Sequence, residues 1–255
     1  MLLGRLPSMT SMAVACARGL RGGPDPVSHR LVPKPIALTM RAVLPNPILG
    51  MVEHISRRTR AIDTVVRDHP TPQLVILGAG LDARAYRLSE LEDTAVFEVD
   101  HPSTQRYKRK RATGLTLRAR SLTYVAVDFE RDDLATKLAE SGHDTTKPTM
   151  WIWEGVTMYL SVDAVRASLA IIAKLSAKGS TIALTYVTPD LASNALRFPS
   201  LRVLFRPTLT LIGEPLDYLA YPDDIAAVVR DAGFEIESNQ GPLGTFAEHL
   251  LVATR

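Results

Sequence analysis

Five short, largely apolar runs separated by helical patterns constrain the fold of this 255-residue chain more than any other feature. The runs cover residues 73–77, 95–99, 123–127, 150–153 and 181–187. Their apolar residues are continuous rather than alternating, which is typical of strands buried on both faces of a parallel sheet. Strands that alternate with helices form right-handed βαβ units, so the sequence predicts a Rossmann-like, doubly wound α/β fold.

Helix boundaries are marked by residues that start or stop helices. Residues 51–68 carry apolar side chains at helical spacing, and prolines follow the segment directly. Ser161 is suited to capping the start of a further helix, and Gly179 to ending it. Pro222 is suited to opening another, with Gly233 just past its end.

The last two apolar runs, 234–238 and 249–253, are joined by a short polar connection without a helical pattern. Such strands pair as an antiparallel hairpin, which we expect at the edge of the sheet. The sequence therefore predicts seven strands, mostly parallel. Residues 188–221 break the alternation and are long enough for a lid insertion.

Composition excludes several classes of protein. No window approaches eighteen uninterrupted apolar residues, so we expect no membrane span. The one cysteine, Cys16, can neither close an internal disulfide nor build a cysteine-ligated zinc site. We therefore expect no metal centre, and a cytoplasmic location as the default.

Basic residues cluster in one stretch, although the formal net charge is only +3. Residues 101–120 carry seven basic groups, all within 106–120, and no acidic group. A nucleic-acid surface is one interpretation. A solvated helix face is the preferred one, because no stacking platform or nucleic-acid motif accompanies the charge. A nucleic-acid partner is therefore not expected.

The end of the first predicted strand carries a glycine loop. Gly78 and Gly80 allow a sharp turn and a close approach of the backbone to a ligand. The loop satisfies G-x-G-x-x-A, and Asp100 follows Gly78 by 22 residues, where dinucleotide-binding proteins carry a ribose-binding acid. A nicotinamide cofactor is therefore one hypothesis.

Acidic residues at the strand ends favour a different cofactor. Asp82 would place a carboxylate beside a pyrophosphate, whereas S-adenosylmethionine has no phosphate and carries an ammonium and a sulfonium group. Asp100, Asp128 and Glu154 follow three successive predicted strands. Ribose hydroxyls, an adenine amino group and an ammonium group are all donors that carboxylates can accept.

Several motifs resemble one protein family. They are LGAGLDARAYRL at 77–88, FEVDHP at 97–102, VDF at 127–129 and EGVTMYL at 154–160, with RTRAID at 58–63 and GEPL at 213–216. Together they resemble the leucine carboxyl methyltransferase-like family of class I S-adenosylmethionine-dependent methyltransferases, in particular its large bacterial branch. The resemblance covers residues 51–255. It departs at Ala83, where the family usually has threonine.

The resemblance implies a role for each cofactor-binding residue. Asp100 would accept the ribose hydroxyls, Asp128 the adenine amino group and Glu154 the ammonium, while Arg58 would pair with the methionine carboxylate, Phe129 would cover the adenine, and Gly78 and Gly80 would make room. Methyl transfer needs mainly positioning, so no catalytic base is assigned. For Arg84 and Arg87 an ion pair with Asp82, Glu98 or Glu154 is the expectation.

These observations predict an S-adenosylmethionine-dependent methyltransferase, with an oxygen acceptor, a carboxylate or hydroxyl of a small molecule or protein. An NAD(P)-dependent oxidoreductase and a non-catalytic binding module are the alternatives. Residues 1–50 are expected to form a cap that includes a short helix at 12–20, and residues 51–255 a single methyltransferase domain. A homo-oligomer is compatible with this interpretation.

Overall fold

The computed structural model describes residues 9–19, 23–43, 50–128, 131–190, 217–244 and 246–255. Seven strands are present in them: β1 Gln73–Leu77, β2 Ala95–Asp100, β3 Ser121–Ala126, β4 Thr149–Trp153, β5 Thr181–Val187, β6 Glu235–Gln240 and β7 Glu248–Thr254. The α-helices of these ranges are α1 Met9–Arg18, α2 Lys34–Val43, α3 Met51–Asp68, α4 Arg84–Arg87, α5 Pro102–Arg111, α6 Leu134–Glu140, α7 Val162–Lys174 and α8 Pro222–Asp231.

The strands form one sheet in the order β3-β2-β1-β4-β5-β7-β6. The first five pair in parallel, and β7 pairs antiparallel with both β5 and β6. The predicted seven-stranded, mostly parallel sheet with an antiparallel edge is therefore confirmed. Strand order reverses between β1 and β4, which is where ligands bind in sheets of this kind.

The core explains why the strand sequences are continuously apolar. Val75 and Leu77 face one layer, which includes α7 and α8, while Leu74 and Ile76 face the layer that includes α3. Successive side chains of a strand point to opposite faces, so a strand covered on both sides needs apolar residues at every position.

The amino-terminal part of the described chain packs on α3. The helix expected at 12–20 is present as α1, and its side chains Met12, Ala15 and Cys16 are buried in a cluster with Ile55 of α3. The predicted lid, 188–221, lies largely outside the described residues.

Two sequence interpretations are corrected by the structure. Helix α7 ends at Lys174, so Gly179, whose φ is +85°, forms the turn before β5 rather than the helix cap. The basic stretch is only partly solvated. Lys108 is buried against Glu98, and Arg111 donates hydrogen bonds to main-chain carbonyls, among them that of Val32. Lys108 therefore pairs with a buried carboxylate instead of facing solvent, and Arg111 is half-buried.

Within the described ranges, every helix is too short or too polar to cross a membrane. The same ranges contain no group of three side chains that could hold a metal ion.

Candidate active site

A cavity of about 370 Å³ lies at the carboxyl ends of β1, β2 and β4. Its walls are the end of β1 with the glycine loop that follows it (76–82), Asp100, the residues that follow β4, and one side of α1. The structure thus brings five of the predicted site residues to one cavity: Arg58, Gly78, Gly80, Asp100 and Glu154.

The glycine loop depends on both of its glycines. Gly78 and Gly80 have φ values of +66° and +51°, in the left-handed region that side chains disfavour. A Cβ added to Gly78 would also lie 2.7 Å from Cγ2 of Val156. The loop therefore passes close to the segment after β4, and its residues line the cavity.

Asp100 is oriented by backbone amides. Its carboxylate accepts hydrogen bonds from the Gly80 N–H at 2.6 Å and from the His101 N–H at 2.7 Å. Burial raises the pKa of Asp100, and these two hydrogen bonds oppose that rise. The side chain is thus fixed at the end of β2, where it borders the cavity.

Glu154 stands at the end of β4, between three guanidinium groups. Arg58 Nε donates to Oε1 at 2.8 Å, Arg18 donates to the same oxygen, and Arg84 donates to Oε2 at 2.9 Å. Burial would raise the pKa of Glu154, but the three cations outweigh it and hold the pKa well below its usual value. Glu154 is therefore ionised at neutral pH.

These contacts continue into a larger buried system, which we call the arginine network. Its members are Arg18, Arg58, Arg84 and Arg87 with Asp25, Asp63, Asp82, Glu154 and Glu248. No side chain in it is more than 8% exposed. Four cations face five carboxylates, so the network has an excess of one negative charge when His54, which contacts Glu248, is neutral.

The network corrects the electrostatic argument made from the sequence. Asp82 and Glu154 are not free carboxylates. Arg84 donates to both, and the charges of Arg84 and Arg18 hold the pKa of Asp82 below its usual value although burial would raise it. Carboxylates buried at strand ends require countercharges. Only the excess charge of the whole network, not Asp82 alone, therefore favours a cationic ligand.

The predicted ion pairs of the two unassigned arginines are confirmed for one and wrong for the other. Arg84 pairs with Asp82 and Glu154, as expected, and also with Asp63 at 2.8 Å. Arg87 pairs with Asp63 at 2.8 Å and with Asp25 at 3.2 Å, not with any of the three expected acids.

Arg58 is held by two carboxylates. Besides its contact with Glu154, its NH1 group donates to both oxygens of Glu248, at 2.8 and 3.0 Å. Among the described residues its NH2 group has no hydrogen-bond partner, and the side chain borders the cavity. The expected pairing with a ligand carboxylate thus has one nitrogen available.

The cofactor roles of all seven predicted residues stay predictions. Two of the seven are not among the residues that line the cavity in the described part of the chain. Asp128 follows β3, but it does not line the cavity; Arg131 Nε lies 3.8 Å from its carboxylate. Phe129 lies outside the described residues.

Sequence reasoning named no residue of α1 as part of the site. Ser11, Val14 and Arg18 line the cavity, and their spacing of three and four residues places them on one helix face. That spacing is visible in the sequence, but the part of the chain that carries it lies outside the motifs described above. It also missed Thr104 and Met158, which lie near those motifs or within them.

The sheet order, the glycine loop and the acidic strand ends define the class of protein, a methyltransferase of Rossmann-like fold. The sequence model of the leucine carboxyl methyltransferase family matches residues 25–173, and the chain belongs to this family. It is accordingly a methyltransferase that uses S-adenosylmethionine.

Relatives of known sequence agree with this assignment. One from Mycobacterium sp. (strain JLS), named "Putative S-adenosyl-L-methionine-dependent methyltransferase", is 36% identical over 209 residues, which are 80% of this chain and 69% of the relative. One from Streptomyces coelicolor is 42% identical over 143 residues, which are 54% of this chain and 50% of the relative.

Solved structures show the same fold at low sequence identity. A DUF574 family protein from Streptomyces avermitilis has a TM-score of 0.64 at 13% identity, with 98% of each chain covered. Magnesium protoporphyrin IX methyltransferase from Synechocystis PCC 6803, solved with bound S-adenosylhomocysteine, has a TM-score of 0.54 at 15% identity, with 80% of this chain and 85% of that chain covered.

Proposed function

We propose that this protein methylates an oxygen atom of its acceptor, a carboxylate or a hydroxyl of a small molecule or protein, with a carboxylate favoured. The observation that carries this proposal is the chemistry of the cavity wall. Its described residues include no histidine or lysine. Of its three carboxylates, Asp82 and Glu154 are paired with arginines, and Asp100 accepts hydrogen bonds from two backbone N–H groups. A carboxylate acceptor needs no proton removed, whereas a hydroxyl acceptor is helped by a base.

The donor and acceptor groups of the cavity fit S-adenosylmethionine. Asp100 would accept the ribose hydroxyls, Glu154 the ammonium, and the NH2 group of Arg58 would bind the methionine carboxylate. Gly78 and Gly80 leave the space that side chains would fill. Asp128 and Phe129 would hold the adenine.

Charge supports the same fit. With His54 neutral, the arginine network carries one negative charge in excess, and Asp100 adds a carboxylate to the same cavity. A ligand with one net positive charge is therefore favoured over a pyrophosphate. The cofactor, when bound, supplies a methyl group activated by a sulfonium.

The chain's own contribution to the reaction is positioning. Val156, Met158 and Tyr159 form the part of the wall after β4, and their largely apolar surface would exclude water from the acceptor. Holding two reacting groups in contact can contribute about 7–11 kcal/mol to lowering a barrier. No protein side chain has to move a proton when the acceptor is a carboxylate.

Ligand binding tests the cofactor site. We expect S-adenosylmethionine and S-adenosylhomocysteine, but not NAD or NADP, to raise the melting temperature by several degrees, since a ligand at a hundred times its Kd adds about 2.7 kcal/mol. Asp100→Asn should abolish most of the shift. The exposed Asp68→Asn is the matched control. A shift with NAD alone would contradict the proposal.

Product chemistry tests the acceptor. The protein is incubated with S-adenosylmethionine labelled in the methyl group and with a panel of carboxylic acids, phenols and amines. A methyl ester releases labelled methanol in mild base, whereas an ether or a methylamine does not. Base-labile label supports a carboxylate acceptor, stable label on a phenol supports a hydroxyl acceptor, and label on an amine alone contradicts an oxygen acceptor.

We also propose the two-part organisation expected from the sequence, with residues 1–50 as a cap, 51–255 as the methyltransferase domain and 188–221 as a lid. A cytoplasmic location is proposed on the ground that the one cysteine, Cys16, forms no disulfide.

A further inference from the structure

We propose that the outer edge of strand β3 is a docking surface for an extended, acidic segment of a partner protein, which adds to the sheet as a further strand. The surface consists of residues 106–126, which are the carboxyl-terminal part of α5, the loop at 112–120 and β3 itself. We call it the β3 surface. None of its residues lines the cavity of the candidate active site, so this inference does not depend on the proposed function.

The backbone of β3 has an unused edge. β3 is the last strand of the sheet, and β2 is its one partner strand among the described residues. Just past β3, the Val127 N–H donates to the Asp100 carbonyl of β2. Backbone groups of successive strand residues alternate in direction, so those of Leu122, Tyr124 and Ala126 are directed away from β2. In the described part of the chain these groups have no hydrogen-bond partner, so they can pair with an added strand.

An apolar groove of about 320 Å³ accompanies this edge. It lies on the face of β3 that carries the side chains of Leu122 and Tyr124. The loop contributes Leu115 and Leu117, and Leu117 is 39% exposed. An added strand turns every second side chain to the same face of the sheet. The groove can therefore accept apolar side chains at alternate positions of the segment.

The charge of the β3 surface indicates an acidic partner. Five of its basic residues are exposed and form no ion pair with a described residue: Arg106, Arg109, Lys110, Arg118 and Arg120. The Arg120 N–H donates to the carbonyl of Leu91, and the exposed acids Glu92 and Asp93 follow that residue. These two acids leave three of the five positive charges in excess. Carboxylates of a bound segment would balance this excess.

The charge also predicts where the acidic end of the segment lies. Arg118 and Arg120 come directly before β3, and the Arg118 N–H donates to the Ala85 carbonyl at 2.9 Å, which fixes the chain there. Acidic residues, Asp128 and Asp132, follow the other end of the strand. The acids of the segment should therefore lie beside the amino end of β3.

A second copy of the chain fits this surface less well. Antiparallel pairing of two β3 strands would bring the basic end of one copy beside Asp128 and Asp132 of the other. It would also bring the two copies of Arg109 together, because Arg109 lies over the ring of Tyr124 in the middle of the strand. The positive charges in excess on each copy would then stay unbalanced, and like charges at an interface are unfavourable.

Nucleic acid also fits less well, although the surface is basic. Binding of a single strand relies on aromatic faces on which bases stack. The guanidinium of Arg109 lies 5.5 Å from the ring centroid of Tyr124 and covers one face of it. The Tyr124 hydroxyl is hydrogen-bonded to that of Tyr86 at 2.6 Å. The free backbone edge, in contrast, matches a peptide.

Synthetic peptides test the surface, because their charge and their backbone can be changed separately. The acidic peptides carry glutamates at one end and alternating valine and threonine in the rest, and two versions place the glutamates at the amino or at the carboxyl end. A control peptide has lysine in place of glutamate. Two further peptides are N-methylated on one or the other set of alternate amides. Kd values are measured by fluorescence anisotropy.

We expect one of the two acidic peptides to bind with a Kd below about 0.1 mM, and its lysine counterpart to bind at least about tenfold more weakly. Methylation of one set of alternate amides should abolish binding, whereas methylation of the other set should not. An added strand pairs through one of its edges, so only one set of its amides donates to β3.

Charge reversal on the protein provides the matched variants. Arg118→Glu combined with Arg120→Glu should weaken the acidic peptide at least about tenfold. Arg166→Glu combined with Arg230→Glu makes the same change in net charge at exposed positions of α7 and α8, which pack on the opposite face of the sheet. This control should change the Kd less than about twofold. Unchanged melting temperatures show that both variants are folded.

The inference is overturned if neither acidic peptide binds at up to about 1 mM, if the lysine peptide binds as well, or if both methylated peptides bind equally. A wild-type dimer in light scattering that Arg118→Glu with Arg120→Glu converts to a monomer would assign the surface to a second copy instead. Tighter binding of a short polyuridine than of either acidic peptide would assign it to nucleic acid.

Discussion

Two buried ionic systems lie next to each other in this protein, and they differ in how many charges they contain. The arginine network joins four guanidinium groups to five carboxylates at the cavity. On the neighbouring strand β2, Glu98 pairs with a single cation, Lys108 of α5, and each side chain is 1% exposed. Both systems are buried, but of the two only the first borders the cavity.

Their carboxylates respond differently to burial. In the network, burial would raise the pKa of Glu248, yet Arg58 and His54 lower it to about 2. In the pair, burial raises the pKa of Glu98 to about 7, and Lys108 only partly opposes the rise. Oε1 of Glu98 also has no hydrogen-bond partner among the described residues.

The difference shows that the number of donors, not burial alone, decides whether a buried carboxylate stays ionised. Several guanidinium groups keep the network charged, as a site for a zwitterionic ligand requires. With one ammonium as its partner, Glu98 has a pKa of about 7, so it can gain a proton close to neutral pH. The network is therefore suited to binding, and the pair to holding α5 against the sheet.

The largest expected effect comes from removing the centre of the network. Arg84→Met leaves Asp63, Asp82 and Glu154 without their common partner. Breaking a buried pair by removing one partner costs about 3–5 kcal/mol. We expect a loss of this size in the free energy of unfolding, measured with urea at pH 7. A loss below about 1 kcal/mol would show that the network is not a connected unit.

Acid titration separates Glu248 from ordinary carboxylates. Its pKa of about 2 lies below the usual value of 4.5, so its contribution to stability is present above about pH 4.5 and is lost as the pH falls towards 2. Glu248→Gln should therefore lower stability at pH 7, by up to about 3 kcal/mol, and should flatten the decline between pH 5 and 3.

The control for that experiment is Glu92→Gln, an exposed carboxylate. It should leave the pH profile of the wild-type protein unchanged. A Glu248→Gln profile as steep as that of the wild type would show that other acids cause the loss of stability in acid.

The Glu98–Lys108 pair should show the opposite pH dependence. Lys108→Met leaves Glu98 buried beside no cation, at a cost of about 1–3 kcal/mol at pH 8. The folded-state pKa of Glu98 is raised, so protonation stabilises the fold at low pH and this contribution is lost as the pH rises through about 7. The free energy of unfolding of the variant should therefore increase from pH 8 to pH 6, and more steeply than that of the wild type.

A double variant, Glu98→Leu with Lys108→Met, provides the matched comparison. Replacing a whole buried ion pair by apolar residues is often neutral. We expect near-wild-type stability with no extra pH dependence between pH 8 and 6. If the free energy of unfolding changed equally with pH in the single and the double variant, Glu98 would not be the cause of the pH dependence.

The strands could be predicted from the sequence because a strand that is buried on both faces is a continuous run of apolar residues. The bounds of β1 and β5 agree with the apolar runs at 73–77 and 181–187. The strand ends then placed Gly78 and Asp100 at one edge of the sheet. Both inferences need only the periodicity of a strand and the rule that parallel strands end together.

Charge pairing could not be predicted in the same way. The chain has 30 basic and 27 acidic residues, and nothing local indicates which of them meet. Arg58 and Glu248 are 190 residues apart, and Arg18 and Glu154 are 136 apart. These contacts follow from the packing of α1, α3 and β7, so the partners of the site arginines required the three-dimensional fold.

The smallest expected effect on the free energy of unfolding comes from an exposed ion pair, Arg67 with Glu90, which can be compared with the two buried systems. Arg67 Nε lies 2.9 Å from Glu90 Oε1, almost the distance between Arg58 and Glu154, but the side chains are 51% and 33% exposed. Water screens such a pair, so Arg67→Ala should cost less than about 1 kcal/mol, and the cost should fall further in 1 M salt. If this substitution destabilised the protein as much as Arg84→Met, the geometry of an ion pair would set its strength, rather than its burial and the number of its partners. The difference between the arginine network and the Glu98–Lys108 pair could then not be explained by the number of charges in each.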